Sequence, residues 1–208
     1  METIEGVLFE PVGCLGEFPA EPFLEIAARL SGKKQTSKSG SRSYWHLLNL
    51  MEASGCPTME PYEIQAVEDA AIYEDVLPAL SELKAIGVRR FIASSLSNAA
   101  ISRFLERCPQ LDFDGVWNRD NAGGIKTAPL ARAIEGASLR PDRTMFLADT
   151  AEGLKVARSV GVHAILMMND PDESRRLAAH NPAGGIVSLH ELPDFIRFVR
   201  AEKRSARS

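Results

Sequence analysis

The 208-residue chain reads as a doubly wound α/β protein with a parallel sheet and a small all-helical insertion after its first strand. Three observations predict this. Short apolar runs recur at residues 4–9, 88–93, 115–117, 144–148, 163–168 and 185–189, each bounded by polar or glycine positions, as buried strands are. Helix-period segments separate them at 76–86, 98–107, 127–137, 151–160 and 171–179, with a last helix at 191–202, and that alternation builds a parallel sheet with helices on both faces. Between Leu15 and Asp75 the rhythm breaks: no strand is expected there, and three helical patterns fall at 20–31, 41–54 and 60–71. The expected division is an α/β core of residues 1–16 and 74–208 and a helical cap of residues 17–73.

The first strand runs into Glu10-Pro11-Val12-Gly13-Cys14, a carboxylate followed by a proline and a glycine turn. In the insertion, Lys33-Lys34-Gln35-Thr36-Ser37-Lys38-Ser39-Gly40 is polar and turn-rich and separates the first two helices. Tyr44, Trp45, Leu48 and Met51 share one face of the second helix and suit the insertion's own small core. Were the insertion to close over the sheet, Lys38, Arg42 and Tyr44 would be available to a substrate. The second core strand leads into Ala93-Ser94-Ser95-Leu96-Ser97-Asn98, where Asn98 is expected to help cap a helix. Gly124-Ile125-Lys126-Thr127-Ala128-Pro129 opens another helix, and Ala148-Asp149-Thr150-Ala151 follows the fourth major strand. The basic segment 201–208 reads as a frayed end.

Composition narrows the function. Hydrophobic content of 45%, charged content of 25% and a net charge of −4 describe an ordinary globular chain and give no electrostatic case for nucleic acid. No apolar stretch approaches the ~20 residues of a membrane span, and the chain opens on a strand-like run rather than a signal peptide. Cys14, Cys56 and Cys108 have no CxxC spacing, so neither a disulfide framework nor a zinc site is expected and a cytoplasmic location fits. Cys14 reads as a small residue packed under the loop, and His46, His163, His180 and His190 lack metal-ligand spacing.

In open α/β sheets ligands bind beyond the carboxyl ends of the strands. There the chain offers a carboxylate (Glu10), hydroxyls (Ser94, Ser95), an amine (Lys126) and a second carboxylate (Asp149), the parts of a magnesium-assisted phosphoryl-transfer site. A strand-end carboxylate can attack phosphorus. Magnesium takes hard oxygen ligands, usually one or two carboxylates with waters. Hydroxyls and helix-start N–H groups hold phosphoryl oxygens, and a lysine offsets charge during transfer. For Glu10 and Asp149 the simpler readings are a solvated strand-end acid and a helix N-cap.

From residue 4 to about 190 this arrangement resembles the haloacid dehalogenase-like hydrolases, and most of all their phosphatase and β-phosphoglucomutase branch. Glu10-Pro11-Val12-Gly13-Cys14 is similar to that family's Asp-x-Asp-Gly-Thr, with Glu10 for the nucleophile, Val12 for the general acid–base and Cys14 for the threonine. The resemblance implies catalytic roles for Glu10 and Lys126, phosphate binding by Ser94, Ser95 and Lys126, and Mg2+ held by Glu10, the Val12 carbonyl and Asp149. It also implies a small phosphorylated molecule as substrate; a homodimer is compatible with it. Lys126-Thr127-Ala128-Pro129 stands for Lys-Pro-x-Pro, and Ala148 replaces a further acid. Loss of a general acid–base costs ~10²–10⁴ in rate, and a displaced nucleophile roughly another 10², together about 5–8 kcal/mol of barrier. Pro11 also withholds one N–H from a phosphate. Two functions therefore stay open: a magnesium-dependent phosphohydrolase, and a non-catalytic binding or regulatory relative with a vestigial phosphate or metal site. Dehalogenation, which keeps the aspartate nucleophile, is not expected.

Overall fold

The computed structural model describes residues 4–54, 59–169 and 171–205; Cys56 and the last residues of the basic segment lie outside them. Strand β1 (Gly6–Phe9) is followed by a broken helical turn α1 (Pro11–Cys14) and a two-residue strand β2 (Gly16–Glu17). Three helices come next, α2 (Glu21–Ser31), α3 (Gly40–Ser54) and α4 (Glu60–Glu68), before a second short strand β3 (Ala71–Ile72). The remainder alternates: α5 (Val76–Ala85), β4 (Arg89–Ala93), α6 (Asn98–Arg107), β5 (Gly115–Trp117), α7 (Arg119–Ala122), α8 (Thr127–Gly136), a 3₁₀ turn (Pro141–Arg143), β6 (Thr144–Ala148), α9 (Ala151–Ser159), β7 (His163–Met167), α10 (Pro171–Ala178), β8 (Gly184–Ile186) and α11 (Glu191–Ser205).

The six longer strands form one parallel sheet in the order β5-β4-β1-β6-β7-β8. Residues of β1 and β6 are buried throughout, and a parallel strand so placed needs helices on both faces of its sheet. Helix α5 packs on β4, and α8 and α9 pack together over the neighbouring strands. In register, Phe9 stands level with both Ile92 and Leu147, so the chain leaves β1, β4 and β6 at one edge of the sheet. Because the strands on either side of β1 run to opposite wings, that edge is the switch point at which such sheets bind ligands.

One expectation is corrected between Leu15 and Asp75. Strands β2 and β3 pair antiparallel there, Gly16 with Ile72 and Glu17 with Ala71, and Tyr73 N–H donates to Leu15 O at 3.1 Å. The pair brings both ends of the three-helix insertion to one place. It is too short to show a two-residue periodicity, which is why the sequence pattern does not reveal it. Gly16 is required for the approach, since a Cβ there would stand 2.8 Å from Ala71 O. The helical face named from the sequence is buried, with Tyr44, Trp45, Leu48 and Met51 each no more than 4% exposed, but it does not serve the insertion alone: Tyr44 lies near Glu10, and Trp45 is 3.6 Å from the Cβ position of Gly153. The described stretches contain no helix long and apolar enough to cross a membrane.

Candidate functional site

Glu10 leaves β1 in an extended conformation (φ −85°, ψ 121°), and Pro11 then turns the chain. The helical turn fails at once, because Val12 (ψ 110°) is extended and Gly13 has φ 83°. Leu15 N–H closes the loop by donating to Pro11 O at 3.0 Å. The positive φ favours glycine, and a Cβ at Gly13 would run into the Asp149 carboxylate and lie 2.6 Å from Ser41 Oγ.

The Glu10 side chain turns inward. It is 3% exposed, and Ser94 Oγ donates to Glu10 Oε1 at 2.5 Å. The N–H groups of Val12 and Ser95 also point at this carboxyl. Burial pushes its pKa up from 4.5 to about 8, helped by the negative charge of Asp149 and opposed by the Ser94 hydroxyl and the two N–H groups. At neutral pH the group is therefore mainly a carboxylic acid. It occupies the hydroxyl and amide donors that the sequence assigns to a phosphoryl oxygen.

Ser94 follows β4, and its Oγ accepts from Leu96 N–H at 3.2 Å as it donates to Glu10. The following helix is capped by Ser97, whose Oγ accepts from Ala100 N–H at 3.2 Å, and not by Asn98, whose Oδ1 accepts from Asn118 Nδ2. Ser95 Oγ accepts from Lys126 N–H at 2.6 Å, which brings the Lys126 backbone to the site in an uncommon conformation (φ 57°, ψ −100°). The ammonium goes elsewhere: Lys126 Nζ donates to Asn49 Oδ1 and Glu52 Oε2, both at 2.6 Å, on α3. Ser94 and Glu10 thus come together as the sequence predicts, while the lysine charge is taken up by the helical insertion.

Asp149 stands after β6. Thr150, not Asp149, caps the next helix, its Oγ1 accepting from Gly153 N–H at 3.2 Å, so the N-cap reading of Asp149 is set aside. Asp149 Oδ2 accepts a hydrogen bond from Ser41 Oγ at the start of α3 and a longer one, 3.4 Å, from Asn169 Nδ2, which also donates to Gly13 O at 2.8 Å. Cys14 lies fully buried under the loop, and burial pushes its thiol pKa up, so it is an inert packing residue there. Tyr44 is fully buried close to Glu10 and Ser94. Lys38 and Arg42 instead line a cavity within the helical insertion.

A buried ion pair adds residues that the sequence pattern did not single out. Glu63 on α4 is fully buried and binds Arg119 two-pronged, Nη1 to Oε1 at 2.6 Å and Nη2 to Oε2 at 3.0 Å. Ser97 N–H donates to the same carboxylate at 3.2 Å, and Arg119 Nη1 reaches Ser95 O at 3.1 Å. Arg119 and Asn169 both sit just past strand ends, β5 and β7, so the strand-end rule would have found them had it been applied to every strand. Ser41 and Glu63 carried no such signal, since their positions depend on how the insertion lies on the core.

Magnesium at this edge would need ionised oxygens facing a common point. Glu10 is held largely neutral with its carboxyl turned into the donor cluster, Asp149 Oδ2 is engaged by Ser41 and Asn169, and Ala148 supplies no further acid. Among the described residues no three His, Cys, Asp or Glu side chains converge as a metal site. In this arrangement the residues do not fit a divalent cation.

Residues 39–167 match the family described as haloacid dehalogenase-like hydrolase. Enolase-phosphatase E1 of Frankia alni is 32% identical over 126 residues, covering 58% of this chain and 52% of that protein, so the chain spans about half the length of the curated relatives it matches. A haloacid dehalogenase-like hydrolase from Streptococcus pneumoniae superposes with a TM-score of 0.70 at 14% identity, over 94% of this chain and 99% of that one. The L-2-haloacid dehalogenase of Xanthobacter autotrophicus does so with a TM-score of 0.63 at 17% identity, over 93% and 98%. At these identities the structures speak for the fold alone, but the family match covers the later part of the insertion, from residue 39, and the strand ends that carry Ser94 and Asp149. The chain belongs to the haloacid dehalogenase-like hydrolase family.

Proposed function

We propose that this protein binds a small phosphorylated molecule without turning it over, and that residues 17–73 form a cap that governs access to the site. The reading is carried by the 2.5 Å bond between Ser94 Oγ and Glu10 Oε1. A nucleophile must present its oxygen to the phosphorus while other groups hold the phosphoryl oxygens. Here the carboxyl in the nucleophile position is itself held by those groups. Val12 offers no side-chain proton donor, the charge of Lys126 is paired with Glu52, and Asp149 is tied to Ser41. A phosphoryl ligand enters the cradle only by displacing Glu10.

A second reading is favoured by the enolase-phosphatase relatives: a magnesium-dependent phosphohydrolase acting on a small phosphorylated metabolite. One assay separates the two. Phosphate release from a panel of small phosphate esters with Mg2+ is expected to stay at background for the wild type. Turnover is expected to emerge in the Glu10→Asp, Val12→Asp double variant, which restores a shorter nucleophile and a proton donor; the proton donor alone contributes ~10²–10⁴ in rate. Strong Mg2+-dependent turnover by the wild type, abolished in Glu10→Ala, would overturn the binding reading in favour of the enzyme.

A further inference from the structure

Lys126 is shared between the core and the insertion. Its N–H donates to Ser95 Oγ at 2.6 Å, and Ser95 turns its own N–H on the Glu10 carboxyl, so the lysine backbone is anchored beside the cradle. The ammonium is drawn the other way. It donates to Asn49 Oδ1 and Glu52 Oε2 on α3, both at 2.6 Å. Asn49 and Glu52 stand three residues apart, so they are neighbours on one helix face and both oxygens meet the same nitrogen.

This hold on α3 is not backed by packing on every side. Met51 and Glu52 line a cavity of about 520 Å³ together with Gly123, Gly124 and Ile125, the residues that lead into Lys126. The Glu52 side chain is 54% exposed and that of Lys126 14%. An ion pair half open to water is weak, because solvent screens it and two long side chains must be kept in one geometry. A phosphate monoester carries nearly two negative charges at neutral pH, against one on Glu52. The flexible four-carbon stem lets the ammonium follow the stronger charge while its backbone stays on Ser95.

We infer that Asn49 and Glu52 compete with a phosphoryl ligand for the Lys126 ammonium, so that an anion in the cradle draws the lysine off α3 and loosens that part of the insertion. The inference rests on the cradle being the phosphoryl site, as proposed above. Linkage makes the effect reciprocal: if the anion weakens the hold on α3, removing the acceptors of α3 tightens the anion by the same factor. The Ser41–Asp149 bond at the start of α3 does not involve Lys126, so the loosening belongs to the later turns of the helix.

The test is calorimetric titration of the full chain with inorganic phosphate, joined to amide exchange of α3 with and without saturating phosphate. Asn49→Ala with Glu52→Ala removes both acceptors at exposed helical positions, where alanine is well tolerated. This double variant is expected to tighten the phosphate Kd about fivefold. In a Lys126→Met background the same two substitutions should neither tighten nor restore binding, because no ammonium is left to release. That arm separates competition for the lysine from the field of Glu52, which acts with or without Lys126. In the wild type, saturating phosphate should speed exchange of the amides from Leu47 to Glu52 about threefold. An unchanged or weaker Kd in the double variant, tightening that persists in the Lys126→Met background, or α3 exchange that phosphate leaves unchanged or slows would each overturn the inference and leave the binding reading standing. Phosphate that binds neither the wild type nor the double variant would overturn that reading and the inference together.

Discussion

Glu10 is one methylene longer than aspartate, and its reach to Ser94 Oγ decides what the site can do. With a pKa of about 8 in the folded chain, against 4.5 for an unburied glutamate, the acid keeps a proton that the unfolded chain has already released across that interval. The unfolded state therefore binds fewer protons, and this group makes stability fall as pH rises from about 4.5 to about 8, with no further loss above that window. At about 1.4 kcal/mol per pKa unit the burden at pH 7 is about 3 kcal/mol. Glu10→Gln keeps the shape and abolishes the titration. Denaturant unfolding at pH 5, 6, 7 and 8 is expected to show the variant gaining on the wild type with each step, until it is the more stable by about 3 kcal/mol at pH 7. Parallel stability curves for the two proteins would mean that Glu10 is ionised in the folded state and that the cradle is not filled by a neutral acid.

At the scale of elements, α4 is joined to the core through the Glu63–Arg119 pair, not through apolar packing alone. Glu63 is fully buried and the Arg119 side chain is 13% exposed, so neither charge can be left to solvent. Removing one partner strands the other, which typically costs 3–5 kcal/mol, whereas replacing both with apolar groups is often neutral. Glu63→Ala is accordingly expected to lower stability by about 3–5 kcal/mol, and Glu63→Leu with Arg119→Leu by much less than that; thermal unfolding of the three proteins gives the comparison. Equal losses in the single and double variants would show that packing by α4, and not charge pairing, sets the cost. The element level is also where the sequence is most legible. The six core strands are short buried runs whose apolar character survives without any knowledge of their neighbours, and each is found within a few residues of its expected place. The β2–β3 pair was hidden because two residues carry no period. Of the site, Glu10, Ser94 and Asp149 were readable because the chain must leave adjacent parallel strands at one edge. The partner of Lys126 was not, since an ion pair with Glu52 depends on how α3 lies across the core, which no local pattern encodes.

Across the whole molecule, the helical insertion and the core are joined by polar groups at several points. Ser41 bonds Asp149, Asn49 and Glu52 hold Lys126, Glu63 holds Arg119 and Ser97, and Arg107 donates to Val67 O and Ala70 O. Two of these links run from α3 to Asp149 and Lys126, so the bonds that hold the insertion on the core are the ones that occupy these two side chains. The consequence is measurable without any ligand. Each hydrogen bond contributes about 0.5–1.5 kcal/mol, so losing the Ser41 and Lys126 links together should ease local opening of α3 by about 1.4 kcal/mol or more. Local opening governs amide exchange in the native state. In a Ser41→Ala, Lys126→Met protein the amides of Gly40–Ser54 are therefore expected to exchange about tenfold faster, while those of β1, β4 and β6 keep their wild-type rates. A uniform increase across sheet and insertion would show that the two open as one unit, and unchanged exchange in α3 would show that its apolar face alone holds it down.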